Sequence, residues 1–197
     1  EKLQAPLITT GNARGLLPDN HPLNAGTTLP FSGGQALIAA ADVVIAIATE
    51  FSDVDIIYTG KRVAQPRLMV RVDLDTTQLQ SGLSSDIGVV SDAALFASAL
   101  TKALSESGFT SNNQGAPAAA AQARADIGWT NQSRSHFAWL DVINEEMPAN
   151  AIVSLDSTQL AYTAHHYTPW STPSRWLAPY GLGTLGPALP MGIGAKV

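Results

Sequence analysis

The sequence contains no cysteine and few charged residues. Its 197 residues include 0 Cys, and only 14% are Asp, Glu, Lys or Arg. The absence of cysteine excludes a disulfide framework and any zinc site with cysteine ligands. An average globular domain has roughly 25% charged residues. We therefore predict that other protein covers much of the surface of this chain.

Basic residues and long apolar runs are also lacking. The formal net charge is −5, and the 11 Lys and Arg residues form no cluster. Both features argue against nucleic acid and anionic membranes as partners. No apolar run reaches the roughly 18 residues that a membrane-spanning helix needs. Because nothing resembles a signal peptide, we predict a cytoplasmic protein.

Apolar residues, in contrast, are plentiful at 45% of the chain. Short apolar runs predict strands at 5–10, 43–48, 67–73 and 151–156. The run 43–48 is continuous and rich in Val and Ile, which is typical of a parallel strand covered on both faces. Helices are predicted at 35–41, capped by Ser32, and at 93–104. The pattern predicts an α/β fold in which helices flank a parallel sheet.

A change in composition divides the chain. Residues 105–117 are rich in Ser, Asn and Gly, as linkers are. We predict a central α/β domain at 1–106, a linker at 107–128 and the incomplete start of a second α/β domain at 129–197.

Acidic residues follow two of the predicted strands. Glu50 and Asp53 come after the strand at 43–48, and Asp73 ends the strand at 67–73. Ligands of open α/β sheets bind beyond the carboxyl ends of strands, so these side chains are candidates for a ribose or a metal. Acidic residues also cap turns and helices at such ends, and the sequence leaves both interpretations open.

Three histidines invite a catalytic interpretation. His21 lies in a loop rich in turn-forming residues, where we expect local hydrogen bonds to satisfy it. His165 and His166 are adjacent, and neighbouring residues on a helix face different ways, so an unbroken helix cannot use both for one metal. We predict that this pair lies at an interface or on the surface, with one histidine possible at a substrate entrance.

The final stretch is dense in glycine and proline. Gly181, Gly183 and Gly186 predict a loop that touches a small molecule with its main chain, and Pro187 or Pro190 can open a helix after it. The spacing also matches the dinucleotide fingerprint. Pro179 is unsuited to a central strand before the loop, however, and the later prolines delay the helix, so we reject that interpretation.

The stretch 181–186, Gly-Leu-Gly-Thr-Leu-Gly, with Leu189-Pro190 and Gly-Ile-Gly-Ala-Lys at 192–196, resembles the thiamine-diphosphate-dependent enzymes. The similarity is to the acetolactate synthase and 2-oxo-acid decarboxylase type. The loop at 15–23 and the segments 41–44, 71–75 and 86–92 resemble successive landmarks of the central domain of that superfamily. The resemblance therefore covers most of the chain.

The resemblance implies a set of cofactor-binding residues. The loop Gly183, Thr184 and Leu185 would cradle the aminopyrimidine ring, with the Gly183 carbonyl facing the 4′-amino group and the Leu185 amide facing a ring nitrogen. The Leu185 side chain would prop the cofactor in its bent shape. Ser157, Thr158 and Gln159 lie where acetolactate synthases read Gly-Gln-His and meet the diphosphate, although this chain retains only the Gln.

The resemblance also implies an activity for the whole protein. Such an enzyme decarboxylates a 2-oxo acid and protonates or carboligates the resulting enamine, as a homodimer or homotetramer. Its Mg²⁺ ligands and its activating glutamate belong to segments that these residues do not include, so no catalytic or metal-binding residue is expected here, and the chain by itself should be inactive.

A binding module without catalysis is the alternative. It would hold FAD or ADP through the turn at 11–15 and the strand ends. Ala48 stands where relatives commonly have Gly, and it would crowd a nucleotide.

Overall fold

The computed structural model describes residues 2–56, 62–181 and 183–197. The described part contains three small parallel sheets with helices around them. The strands are β1 (Leu7–Ile8), β2 (Asn24–Gly26), β3 (Val44–Ile47), β4 (Met69–Asp73), β5 (Ile87–Val90), β6 (Val153–Ser154) and β7 (Trp176–Leu177). The helices are α1 (Ser32–Ala40), α2 (Asp53–Ile56), α3 (Ala93–Glu106), α4 (Ala116–Ala125), α5 (Asn131–Ser135), α6 (Phe137–Glu146), α7 (Gln159–Tyr167) and α8 (Ala188–Lys196). The prediction of an α/β fold with parallel strands is confirmed.

The largest sheet has the order β3-β4-β5, and all its strands are parallel. Met69 and Val72 of the middle strand point to opposite faces, and both are buried. In contrast, Ile47 of β3 is 39% exposed. The prediction that the run 43–48 is covered on both faces therefore holds only in part, because β3 lies at an edge of the sheet, whereas the middle strand β4 is buried on both faces.

Helix α4 packs tightly on the first two-stranded sheet and on α1. Its residues Ala116, Ala120 and Ala123 are fully buried, and the last two form one cluster with Ala25 of β2. A Cβ at Gly33 of α1 would lie 2.7 Å from the Ala123 Cα, so the two helices approach as closely as glycine and alanine allow. The predicted linker thus includes a helix that packs against the central domain.

The prediction that Ser32 caps α1 is wrong. Ser32 is the first residue of the helix, the N-cap is Phe31, and the Ser32 hydroxyl donates a hydrogen bond of 3.3 Å to the Asp126 carbonyl after α4. At the start of α3, by contrast, the N-cap is Asp92, whose carboxylate accepts from the amides of Ala94 and Leu95 at 2.9 and 3.0 Å.

The last sheet pairs β6 with β7 in parallel, with Val153 opposite Trp176. Leu140 of α6, Ala164 of α7 and Trp176 form its buried cluster. Because the two strands are parallel, the loops that follow them leave from the same edge. No helix in the described part of the chain is long and apolar enough to span a membrane.

Candidate functional site

The glycine-rich loop follows β7 and adopts a backbone that glycine favours. The φ angles of Gly181, Gly183 and Gly186 are +92°, +59° and +92°. A Cβ at any of the three would meet no atom within 4 Å. Glycine is therefore required here by the backbone conformation and not by crowding. Leu182, which belongs to the same predicted loop, lies outside the described residues.

Asp156 joins this loop to the end of β6. Its carboxylate accepts from the Gly186 amide at 2.9 and 3.0 Å, from the Ala188 amide at 3.3 Å and from the Ser157 amide at 2.8 Å. These hydrogen bonds, with that from Gly186 the largest, lower the pKa of Asp156 below its ordinary value. The ionised carboxylate also lies at the N-terminus of α8, where negative charge is stabilising.

Sequence reasoning did not single out Asp156. The available signal was an acidic residue at the carboxyl end of a strand, immediately before the polar residues Ser157 and Thr158. What the sequence does not reveal is that the glycine loop, about 30 residues later, would supply the amides.

The three predicted residues after β6 have different roles in the structure. The Ser157 hydroxyl donates to the Thr184 carbonyl at 3.1 Å, which brings Ser157 and the predicted loop residue together. The Thr158 hydroxyl caps α7 by accepting from the Ala161 amide at 3.2 Å. Gln159 is the first residue of α7 and is exposed. The N-terminal amides of α7 thus lie at the same sheet edge as the glycine loop.

The middle of the loop is open. In the part of the chain that the structure describes, no protein group is hydrogen-bonded to the Gly183 carbonyl or to the Leu185 amide. The Leu185 side chain is 80% exposed. Backbone polar groups and an apolar side chain are therefore presented together beside the Ser157 hydroxyl. This combination suits a ligand that has both a polar edge and a flat apolar face.

The adjacent histidines lie on α7, where this helix contacts the central domain. His165 is buried, and its Nδ1 accepts from the Trp176 Nε1 at 3.0 Å. The His166 Nδ1 is 2.8 Å from the Thr27 hydroxyl of the central domain. Burial is the main cause that lowers the pKa of His165 to about 3 and that of His166 to about 4. Both are neutral interface residues near pH 7.

His21 is held locally. Its Nδ1 accepts from the Leu23 amide at 3.2 Å within the same loop.

The acidic candidates are not brought together at one site. Glu50 and Asp53 line one surface depression, whereas Asp73 accepts from the Asp75 amide at 3.0 Å in a local turn. Within residues 2–56, 62–181 and 183–197, no three His, Cys, Asp or Glu side chains are grouped so that they could hold a metal ion.

The turn at 11–15, which the nucleotide alternative requires, is covered by protein. A Cβ at Gly11 would lie 1.7 Å from the Tyr180 Cζ, and one at Gly15 would lie 2.4 Å from the Thr172 carbonyl carbon. The carboxyl end of β3 is also occupied, since the Arg71 guanidinium donates to the Thr49 carbonyl at 2.6 Å.

Two family profiles match the chain. The profile described as "Thiamine pyrophosphate enzyme, central domain" matches residues 1–100, and "Thiamine pyrophosphate enzyme, C-terminal TPP binding domain" matches residues 156–197. The chain belongs to the thiamine pyrophosphate enzyme family. The second match contains the glycine loop, Asp156 and the start of α7, so thiamine diphosphate is the cofactor class that this part of the family binds.

Curated relatives of this family align with the whole chain. A protein named probable 2-ketoarginine decarboxylase from Pseudomonas aeruginosa is 40% identical over 201 residues, which are 100% of this chain and 35% of the relative. An acetolactate synthase large subunit from Lactococcus lactis is 24% identical, with 100% and 35% covered. A sulfoacetaldehyde acetyltransferase from Alcaligenes xylosoxydans is 28% identical, with 100% and 38% covered. The chain thus spans about a third of the length of these relatives.

Proposed function

We propose that this chain supplies one wall of the thiamine-diphosphate site of an enzyme that decarboxylates a 2-oxo acid. The observation that carries the proposal is the glycine loop, which Asp156 fixes at the carboxyl edge of β6 and β7 while its middle is left open. The surrounding residues fit the cofactor, because they offer backbone groups, an apolar prop and a helix N-terminus at one edge.

The proposed contacts follow from this arrangement. The Gly183 carbonyl accepts from the aminopyrimidine amino group, the Leu185 amide donates to a ring nitrogen, and the Leu185 side chain supports the rings. Thr184 is held in place by the hydrogen bond that its carbonyl accepts from the Ser157 hydroxyl. The Thr158 hydroxyl is engaged as the cap of α7, so we assign the diphosphate to the amides near Thr158 and Gln159.

The bound cofactor supplies an electron sink for the pair of electrons that a 2-oxo acid releases when it loses CO₂. The residues of this chain hold the cofactor rings in place, and the exposed Leu185 side chain is their apolar support. Mg²⁺, if it accompanies the diphosphate, would take its ligands from outside these residues.

We further propose the substrate class. Two of the relatives have names that refer to a 2-oxo acid or its product, and the relative at 40% identity is named for 2-ketoarginine. A 2-oxo acid with a cationic side chain is therefore the first substrate to test. A decarboxylase would release the decarboxylated unit as an aldehyde, and a carboligase would join that unit to a second carbonyl compound.

The experiment is a substrate panel with the full-length protein, thiamine diphosphate and Mg²⁺. CO₂ release and the organic product are measured with 2-ketoarginine, pyruvate and 2-oxoisovalerate. The proposal predicts cofactor-dependent CO₂ release from at least one of them. If none releases CO₂ above the rate without thiamine diphosphate, the proposal is wrong.

The remaining proposals concern the setting of the enzyme. We propose a cytoplasmic homo-oligomer with the domain limits 1–106, 107–128 and 129–197. The alternative, a module that binds FAD or ADP, is disfavoured because Tyr180 and Thr172 cover the turn that would hold the nucleotide. A yellow purified protein would revive it.

A further inference from the structure

Tyr180 occupies the position between β7 and the glycine loop. It directly precedes Gly181, whose φ of +92° begins the loop. Its ring packs against Gly11, the first residue of a short 3-10 turn after β1 in the central domain. The second domain therefore contacts the central domain at the residue from which the cofactor loop departs.

The contact explains why position 11 is glycine. The φ of Gly11 does not lie in the left-handed region, so its backbone is open to other residues. Space is the constraint, because a Cβ there would lie 1.7 Å from the Tyr180 Cζ and 1.9 Å from the Tyr180 Oη. Such distances require either the turn or the ring to move.

Tyr180 is also held from the side of its own domain. Its ring centroid lies 4.8 Å from that of His165, and His165 is bonded to Trp176 of β7. Arg14 follows the same turn and lies 4.1 Å above the Trp176 ring. The ring of Tyr180 is therefore confined between two elements that are themselves fixed.

The glycine loop is thus held at both ends and is open in the middle. Asp156 binds the Gly186 amide at its far end, and the packing of Tyr180 on Gly11 fixes its near end. Between them, the Ser157 bond to Thr184 is the side-chain contact that the structure provides. A shift at either end would displace Gly183 and Leu185.

We propose that Tyr180 is a positioning residue through which the turn at Gly11 of the central domain sets the cofactor loop. This inference rests on the proposed function, because it assumes that the loop binds thiamine diphosphate. The central domain would then influence cofactor binding through Tyr180, without itself contacting the cofactor.

The test uses full-length protein with four changes: Gly11→Ala, Tyr180→Ala, the double variant, and Gly128→Ala as the matched control. Gly128 is exposed, and a Cβ there would meet no atom within 4 Å. Isothermal titration with thiamine diphosphate and Mg²⁺ gives the dissociation constant and the binding stoichiometry separately. A merely structural defect lowers the stoichiometry and leaves the dissociation constant of the folded fraction unchanged.

The proposal predicts that Gly11→Ala weakens cofactor binding by about tenfold or more, as expected when a binding group is misplaced by a fraction of an ångström. Tyr180→Ala should weaken it as well, and Gly128→Ala should not. The double variant should bind no more weakly than Tyr180→Ala, because the methyl group of Ala at 11 then meets no ring.

Each contrary result has its own meaning. If Gly11→Ala and Tyr180→Ala both bind the cofactor as Gly128→Ala does, the positioning role is wrong while the proposed function stands. If the losses of the two single variants simply add in the double variant, the Gly11–Tyr180 contact is not the cause, and the inference is again wrong. If the unaltered protein binds no thiamine diphosphate, the proposed function fails and this inference fails with it.

Discussion

Two regions of the second domain differ in how fully the rest of the chain buries their side chains and pairs their polar groups. We call the contact of Gly11, Arg14 and Thr27 with α7 and Tyr180 the domain seam, and the exposed stripe of Leu185, Leu189 and Ile193 the loop face. In the seam, polar groups are buried and bonded: Arg14 donates to the carbonyls of Ala164 and Thr168. On the loop face, the three apolar side chains are 80%, 74% and 60% exposed.

This difference indicates which surface of the chain is left open for a cofactor or for another protein. Buried polar groups are costly unless they are paired, and the seam pairs them within the chain. Leu189 and Ile193 lie four residues apart on α8, so they share one side of the helix. An apolar stripe that continues from an open glycine loop is what a cofactor and further protein would cover. The seam thus pairs its polar groups within the chain, whereas we propose that the loop face is the surface that meets the cofactor.

The largest expected effect breaks the seam. Arg14→Ala removes the two bonds to the C-terminal carbonyls of α7 and the contact with the Trp176 ring at 4.1 Å. Hydrogen bonds from charged groups are worth about 1.5–3 kcal/mol each, partly offset because the guanidinium is then no longer desolvated, and we expect a loss of about 3 kcal/mol. Urea unfolding of the full-length protein measures it. A loss below about 1 kcal/mol would show that the seam does not depend on Arg14.

A nearly equal effect is expected on the loop face, but on turnover and not on folding. Leu185→Ala should lower kcat/KM by about 100-fold, because the cofactor rings lose their support and shift. The free energy of unfolding should change by less than about 0.5 kcal/mol, as for other exposed positions. Leu95→Ala on α3, where the side chain is 70% exposed, is the matched control. Unchanged turnover in Leu185→Ala would contradict the assigned role.

A smaller effect is expected in how the stability of the domain seam depends on pH, because His165 is buried there. Burial lowers the pKa of His165 to about 3 in the folded state, whereas an unfolded histidine titrates near 6.5. Between about pH 6.5 and about pH 3 the unfolded state binds the proton and the folded state does not, so the free energy of unfolding falls as pH falls through this range. The slope is about 1.4 kcal/mol per pH unit for this histidine.

The matched variant is His165→Gln, which cannot titrate and retains an acceptor for the Trp176 Nε1. Denaturant unfolding at pH 6.5, 5.5 and 4.5 should show a shallower pH dependence than that of the unaltered protein. Identical slopes would mean that His165 is accessible to protons in the folded state.

The smallest effect is expected where a charge lies outside both surfaces. Arg67 forms a salt bridge of 3.4 Å with Asp42, and the two side chains are 81% and 90% exposed. Exposed pairs contribute about 0–1 kcal/mol. Arg67→Ala should therefore change the free energy of unfolding by no more than about 0.5 kcal/mol in the same urea experiment, in contrast to Arg14→Ala. Equal losses in the two variants would remove the distinction between the seam and an ordinary surface.

Much of the fold could be predicted because it follows from local patterns in the sequence. The apolar runs near Val44 and Met69 predicted β3 and β4, and the apolar pattern at 93–104 predicted α3. Gly181, Gly183 and Gly186 predicted a loop after the last strand, and in the structure all three have positive φ. Such features depend on residues that are close together in the chain.

The rest depended on contacts between distant residues. Arg14 and Thr168 are 154 positions apart, and Asp156 and Gly186 are 30 apart. Neither pair leaves a periodic signal in the sequence. Ser32 shows the related limit at short range, since a residue that commonly caps helices instead bonds to a carbonyl after α4. Whether Ser157, Thr158 and Gln159 meet the diphosphate stays a prediction.

The most direct test of the account is the dissociation constant of thiamine diphosphate for the full-length protein and its Asp156→Asn variant, measured by titration in the presence of Mg²⁺. Asparagine has nearly the same shape, but it offers one acceptor oxygen where the carboxylate accepts from Gly186 and Ala188 with two. If Asp156 holds the cofactor loop in place, the unaltered protein binds the cofactor and the variant binds it about tenfold more weakly or worse. Equal dissociation constants would contradict the account.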